Sequence, residues 1–218
     1  MKILCVSDQI DPVVYSSSIK TRYRDVDMVL CAGDLPLDYL DFIVSSLNCP
    51  LLFVYGNHNL EGYENYEKHP GNSGLTHMGS GIRRECGLAV AGLGGSMWYN
   101  GGKNQYSETA MFFKIIKLVP SLIINRVFRG RWLDILLTHA SPRGIHDRED
   151  PCHRGFKCFL WFMKTFKPRY LVHGHIHLYD LSSVRSTVYG ETLVINAYSH
   201  YLLSTEENHA GNDKKSGG

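Results

Sequence analysis

Surplus charge of one sign is the first thing this sequence lacks. Across 218 residues, 23 Lys and Arg stand against 21 Asp and Glu, a net charge of +2. A nucleic-acid binder needs a stripe of cations along one face, so no specific nucleic-acid binding is expected. The six cysteines, at positions 5, 31, 49, 86, 152 and 158, include no Cys-x-x-Cys pair. That argues against a thiolate zinc site, and several lie in apolar strand-like runs as buried free thiols would in a reducing compartment. No uninterrupted apolar run approaches a membrane span. The opening Met1-Lys2-Ile3-Leu4-Cys5-Val6-Ser7-Asp8 reaches an aspartate too early for a secretory leader, so a cytoplasmic location is expected. The glycines around Trp98-Tyr99 lack the spacing of dinucleotide or nucleotide-triphosphate loops. With neither repeat nor linker, residues 1–204 read as a single domain, followed by a polar, mobile tail over 205–218.

What is present is a series of short apolar runs, several ending on a metal-seeking group. Residues 2–7 predict a buried strand ending at Asp8, then a turn at Asp11-Pro12 and a helix to about Arg24. Residues 27–32 give a second strand ending at Gly33-Asp34. Pro36 opens a helix whose Leu37, Leu40, Phe42, Ile43 and Leu47 suit burial against a sheet. Residues 50–55 form a third strand ending at Gly56-Asn57-His58, and 59–81 read as a long loop bordering the site. Strands follow at 82–86 and 88–93. Residues 107–129 predict two helices broken near Pro120. Strand 133–138 ends at His139, an apolar helix spans 155–166, and strand 169–172 leads into His173-Gly174-His175-Ile176-His177. Two more strands, at 183–189 and 192–196, complete the pattern.

In an extended segment His175 and His177 leave the same face. Carboxylate, amide oxygen and imidazole together suit Mn, Fe, Zn or Ni. Open α/β sheets carry their sites at the carboxyl ends of strands, where these groups all fall.

The ordered set Asp8, Gly33-Asp34, Gly56-Asn57-His58, His139 and Gly174-His175-x-His177 resembles the calcineurin-like metallophosphoesterase superfamily, from residue 2 to about 200. The loop His139-x-x-Pro142-x-Gly144-Ile145-x-Asp147, followed by His153-x-Gly155, is similar to its phosphodiesterase-like branch. The resemblance implies an α/β (α+β) fold, a four-layer sandwich of two mixed sheets flanked by helices. It implies two divalent ions. Asp34 would bridge them, Asn57, His139 and His175 would complete one site, and Asp8 and His177 would belong to the other. His58 would protonate the leaving oxygen. The implied activity is hydrolysis of a phosphomonoester or phosphodiester by metal-activated water.

The first family motif, Asp-x-His, reads here Asp8-Gln9-Ile10, and Ile10 cannot bind a metal. Asp11 is either a replacement oxygen ligand or a turn and helix cap. Arg143, His146 and His153 are candidates to grip substrate phosphate; alternatively the arginines of this loop pair with Asp147, Glu149 and Asp150. His173 is read as a hydrogen-bonding support for its neighbours, and Asn196 as either a positioner of the metal loop or a strand-end turn. The alternative to an enzyme is a catalytically weakened scaffold of the same fold. The basic and apolar stretch 107–129 is read mainly as core packing with a cationic outer face, with peripheral membrane or partner contact as the other reading.

Overall fold

A computed structural model describes residues 1–58, 63, 74–79, 81–179 and 183–205. Five strands form the first sheet: β1 (Lys2–Ser7), β2 (Met28–Cys31), β3 (Leu51–Phe53), β4 (Leu75–His77) and β13 (Ser199–Ser204). Their order is β13-β1-β2-β3-β4, parallel except for the antiparallel β13–β1 pair. The second sheet runs β11-β12-β10-β9-β6-β5. It is built from β5 (Ile82–Glu85), β6 (Leu88–Leu93), β9 (Ile135–Thr138), β10 (Tyr170–His173), β11 (Ser186–Tyr189) and β12 (Thr192–Asn196). Its four inner strands are parallel, and β5 and β11 pair antiparallel at its edges. A small parallel pair, β7 (Ser96–Met97) and β8 (Gln105–Tyr106), occupies the glycine-rich segment.

Strand alternation builds the layers. Ile3 and Cys5 of β1, with Leu30 and Leu52, meet Val90, Ile135, Leu137 and Val172 of the other sheet in a central core. The intervening Leu4 and Val6 face the opposite way, joining Val29, Leu51 and Phe53 under α1 (Ile19–Arg22) and α2 (Leu37–Leu47). The far side of the second sheet packs Ala91, Leu136 and Leu171 against Met111, Leu118 and Leu122 of α3 (Glu108–Arg129) and Phe159 and Phe162 of α4 (Lys157–Phe166). Helix, sheet, sheet, helix is the four-layer sandwich of two mixed sheets that the motifs implied.

Several elements differ from expectation. The helix expected from Pro12 is reduced to the single turn of α1. Over Ser16-Ser17-Ser18 hydroxyls compete for the backbone: Ser16 Oγ donates to the Val13 carbonyl and meets Ser18 Oγ at 2.8 Å. Conversely, α3 is not broken at Pro120. Pro120 and Ile116, whose carbonyl loses its helical donor, are both exposed. Ser107 caps its start by accepting from Ala110 N, and Gly130 ends it at φ 71°. Within the expected 59–81 loop, residues 75–77 form edge strand β4; residues 59–62, 64–73 and 80 lie outside the described residues, as does the tail from 206. Strand β13 carried no clear alternation, and pairing with β1 defines it.

Candidate metal centre

The carboxyl ends of β1, β2, β3, β9 and β10 converge on one edge, where both sheets turn their chains sharply. Asp8, Asp34 and His175 all adopt positive φ, at 63°, 58° and 67°. Non-glycine residues rarely take this conformation, and clusters of them mark sites held in place by their surroundings. Glycine supplies the close approach. A Cβ on Gly56 would fall 1.9 Å from Asp34 Oδ1, and one on Gly174 would fall 2.5 Å from Asp8 Oδ2. Any side chain there would displace a carboxylate.

Asp34, His139 and His175, all buried, offer ligand atoms within 4.8 Å of one another. His139 Nδ1 donates to the Ala32 carbonyl (2.7 Å), directing Nε2 into the centre. There Nε2 lies 3.1 Å from Asn57 Oδ1 and 3.3 Å from Asp34 Oδ2. Asn57 is oriented by its Nδ2, which donates to Tyr99 Oη (3.2 Å). His175 Nε2 donates to the Cys152 carbonyl (2.8 Å), leaving the lone pair on Nδ1. Backbone carbonyls thus set the tautomer of both imidazoles, as is usual around metal-binding histidines.

A neutral His139 would point a lone pair at two oxygens that also have only lone pairs to offer. The cluster therefore calls for a cation, either a proton on Nε2 or a metal ion in its place. Burial works to lower the His139 pKa, but the charge and hydrogen bond of Asp34, with the charge of Asp8, outweigh it and raise it to about 9. Asp34 shifts the other way: burial raises its pKa, and His139 and the His58 N–H bring it below the ordinary range. Burial, then the charge on His139, lowers His175 to about 3, so this ring stays neutral. Two neutral-capable imidazoles, a carboxylate and an amide oxygen fit a divalent transition metal.

Beside this cluster, Asp8 accepts the His175 N–H on both carboxylate oxygens, at 3.0 and 2.9 Å. His177 Nε2 stands 3.9 Å from Asp8 Oδ1, with Nδ1 against Tyr179 Oη at 3.1 Å. Burial raises the Asp8 pKa, partly offset by His139 and Ser7. Asp11 does not turn toward these groups. Its Oδ2 accepts from Ser199 Oγ and meets His200 Nδ1, each at 2.5 Å, and its Oδ1 caps Val13 N. Asp11 thus closes a turn and caps no helix, since α1 begins only at Ile19. His58 is exposed, and its backbone N–H donates to Asp34 Oδ1 (2.8 Å).

The 140–155 loop divides its candidates. His153 is held by Asp150 (Nδ1–Oδ1, 2.9 Å) and lies with its ring centre 5.3 Å from that of His175. Arg143 forks onto Asp147 and Glu149, so it ties the loop together. His146 has both nitrogens engaged, Nδ1 with His173 Nε2 and Nε2 with Thr187 Oγ1, each at 2.9 Å. It faces this internal chain, which ends where His173 Nδ1 donates to the Gly174 carbonyl. Asn196 does both things expected of it, donating to the Ile176 carbonyl of the 174–177 loop and closing the turn after β12 by accepting from Tyr198 N, both at 2.9 Å. Tyr99 went unnoticed in the sequence, and the Ala32 and Cys152 carbonyls carry no side-chain signal at all.

The family model for calcineurin-like phosphoesterase matches residues 1–179. No curated protein matches the chain. Among solved structures, one crystal structure superposes with a TM-score of 0.60 at 15% identity, covering 93% of this chain and 94% of the other. That of TT1561 from Thermus thermophilus does so with a TM-score of 0.59 at 14% identity, covering 90% and 88%. At such identities the likeness speaks for the fold. Taken with the family match over most of its length, it means that this chain belongs to the calcineurin-like phosphoesterase family.

Proposed function

We propose that this protein is a metal-dependent phosphoric ester hydrolase, cleaving a phosphomonoester or phosphodiester by in-line attack of water. The observation that carries the reading is the convergence of Asp34, Asn57 and His139 acceptors on one point, with His175 beside them. Such a point demands a cation. Asp34, Asn57, His139 and His175 would hold one ion, and Asp8, Asp34 and His177 a second. Divalent ions bound there supply an acidified water and positive charge for the phosphate oxygens.

The remaining chemistry belongs to the chain. The Ala32 and Cys152 carbonyls hold one nitrogen of each imidazole and orient the other toward the centre, so no ring rotation is needed on binding. His58, exposed beside Asn57 and tied through its backbone to Asp34, would give the leaving oxygen a proton. His153, whose ring centre is 5.3 Å from that of His175, would meet the substrate phosphate. Trp98, Glu108, Arg143, Arg154 and Lys157 help line a cavity of about 520 Å³ whose lining includes no residue of the centre.

The test is turnover of aryl phosphate mono- and diesters with added Mn, alongside elemental analysis of bound metal. Wild type should bind metal and turn over at least one ester, and Asp34→Asn should lose both. Metal retained without turnover of either ester would favour the scaffold reading. Full metal retention by Asp34→Asn would refute the shared-carboxylate geometry.

A further inference from the structure

Helix α3 has two apolar stripes on opposite sides. Met111, Ile115, Leu118 and Leu122, spaced by four and three, are buried in the core. Phe113, Ile116, Ile123, Ile124, Val127 and Phe128 form a second stripe facing outward, with Phe113 60%, Val127 71% and Phe128 79% exposed. Pro120 lies on this same outward stripe. A helix in a globular protein ordinarily buries one stripe and presents polar groups opposite. Contiguous exposed apolar surface of this kind marks an interaction face.

Charge says what covers it. From residue 109 to residue 133 the chain contains Lys114, Lys117, Arg126, Arg129 and Arg131, and no Asp or Glu. Arg131 pairs with Asp134 (3.8 Å), whereas Lys117, Arg126 and Arg129 are exposed and meet no carboxylate among the described residues. Five cations without an anion, in a chain whose net charge is only +2, is a local concentration. Self-pairing of this face would set like charges against each other. An anionic lipid surface satisfies both halves, taking the apolar stripe among its acyl chains and the cations among its headgroups. Among the described residues no helix is long and apolar enough to cross a membrane, so the contact is peripheral.

We infer that the outward face of α3 docks the protein on anionic membrane surfaces, with Phe113, Ile116, Ile124, Val127 and Phe128 inserted and Lys117, within the stripe, and Arg126, on its flank, against the headgroups. The docking does not depend on the hydrolase reading. The full chain should co-sediment with vesicles of phosphatidylcholine containing about a third phosphatidylserine, and much less with phosphatidylcholine alone. Binding should weaken as salt rises, because headgroup attraction is screened. Replacing Lys117 and Arg126 together by Gln should lower the partition coefficient by about fivefold per charge. Val127→Asp with Phe128→Asp should abolish binding while the thermal unfolding midpoint stays put, since both residues are exposed. Three results would overturn the inference: wild type left in the supernatant with both vesicle types, binding unaffected by the double aspartate variant, or a dimer in solution that this variant converts to monomer. The last would assign the face to a second copy.

Discussion

The arrangement around His139 couples metal binding to one proton. In the metal-free protein Asp34 and Asp8 hold this imidazole protonated up to about pH 9, and the Nε2 lone pair a metal needs is the one carrying the proton. His175 contributes no proton, because burial already keeps it neutral; Asp34 is already ionised. Apparent affinity should therefore fall below its limiting value by about 100-fold at pH 7 and about tenfold at pH 8, a slope near one decade per pH unit. Between those pH values the change is about 1.3 kcal/mol, well within reach of titration calorimetry with Mn. Repeating the titration in buffers of different ionisation enthalpy counts the protons released, and about one is expected at pH 7.5. His139→Asn should bind more weakly at every pH but with the slope removed. A wild-type affinity flat between pH 7 and 8, with heats independent of buffer, would mean that no proton occupies the site and that the electrostatic account of this cluster is wrong.

The same pair sets the stability of the metal-free protein. The folded pKa of His139 lies above its ordinary value, so the stabilisation is full below about pH 6.5 and is lost as pH rises through about 9, amounting to about 3 kcal/mol. Urea unfolding with chelator present should show this loss, and constant or rising stability over the range would contradict it. His58→Ala should leave metal content intact while cutting kcat by about 10²–10⁴-fold on esters with poor leaving groups, and far less on activated aryl esters. Equal losses on both would exclude proton donation. Ile10→His should tighten the weaker of two metal-binding steps, whereas Asp11→Ala should lower stability and leave both steps unchanged; a loosened step in Asp11→Ala would show that Asp11 swings in.

Most of the centre was legible because its side chains are few, chemically distinctive and placed where strands end. Asp34, Asn57, His139 and His175 meet although 141 positions separate the first from the last. Parallel strands set their carboxyl ends on one edge, and Gly33, Gly56 and Gly174 mark the turns. What could not be read depends on groups without a sequence signature. The tautomers are set by main-chain carbonyls of Ala32 and Cys152. The roles of Arg143 and His146 were open because an arginine beside acids, or a histidine beside a histidine, serves a loop as readily as a ligand. In the structure Asp147 accepts from Arg143 and from the Gly144 and Gly155 N–H groups. His146 meets His173 and Thr187. Helix boundaries failed where local chemistry overrode pattern: three consecutive serines shortened α1, and a proline on the solvent side let α3 continue.

The departure at position 10 has a structural counterpart that bears on how the two ion sites would differ. Ile10 is exposed, so it fills no core gap in place of a ligand. Asp11 is buried and committed. Burial acts to raise its pKa, and hydrogen bonds from Ser199 and His200 bring it below the ordinary value. Moving this carboxylate to a metal would break two bonds to a charged acceptor, each worth roughly 1.5–3 kcal/mol. A weakly held ion cannot readily offset that. Moreover, Ser199 and His200 belong to β13, the strand paired antiparallel along the whole of β1. Asp11 therefore fastens the turn after β1 to the sheet edge and keeps Asp8 in its strained position. Its contribution to the centre is made through the backbone. A site proposed on Asp8, Asp34 and His177 would then have three ligands from the chain, against four for its proposed neighbour. That difference would make one ion the resident and the other the exchangeable partner.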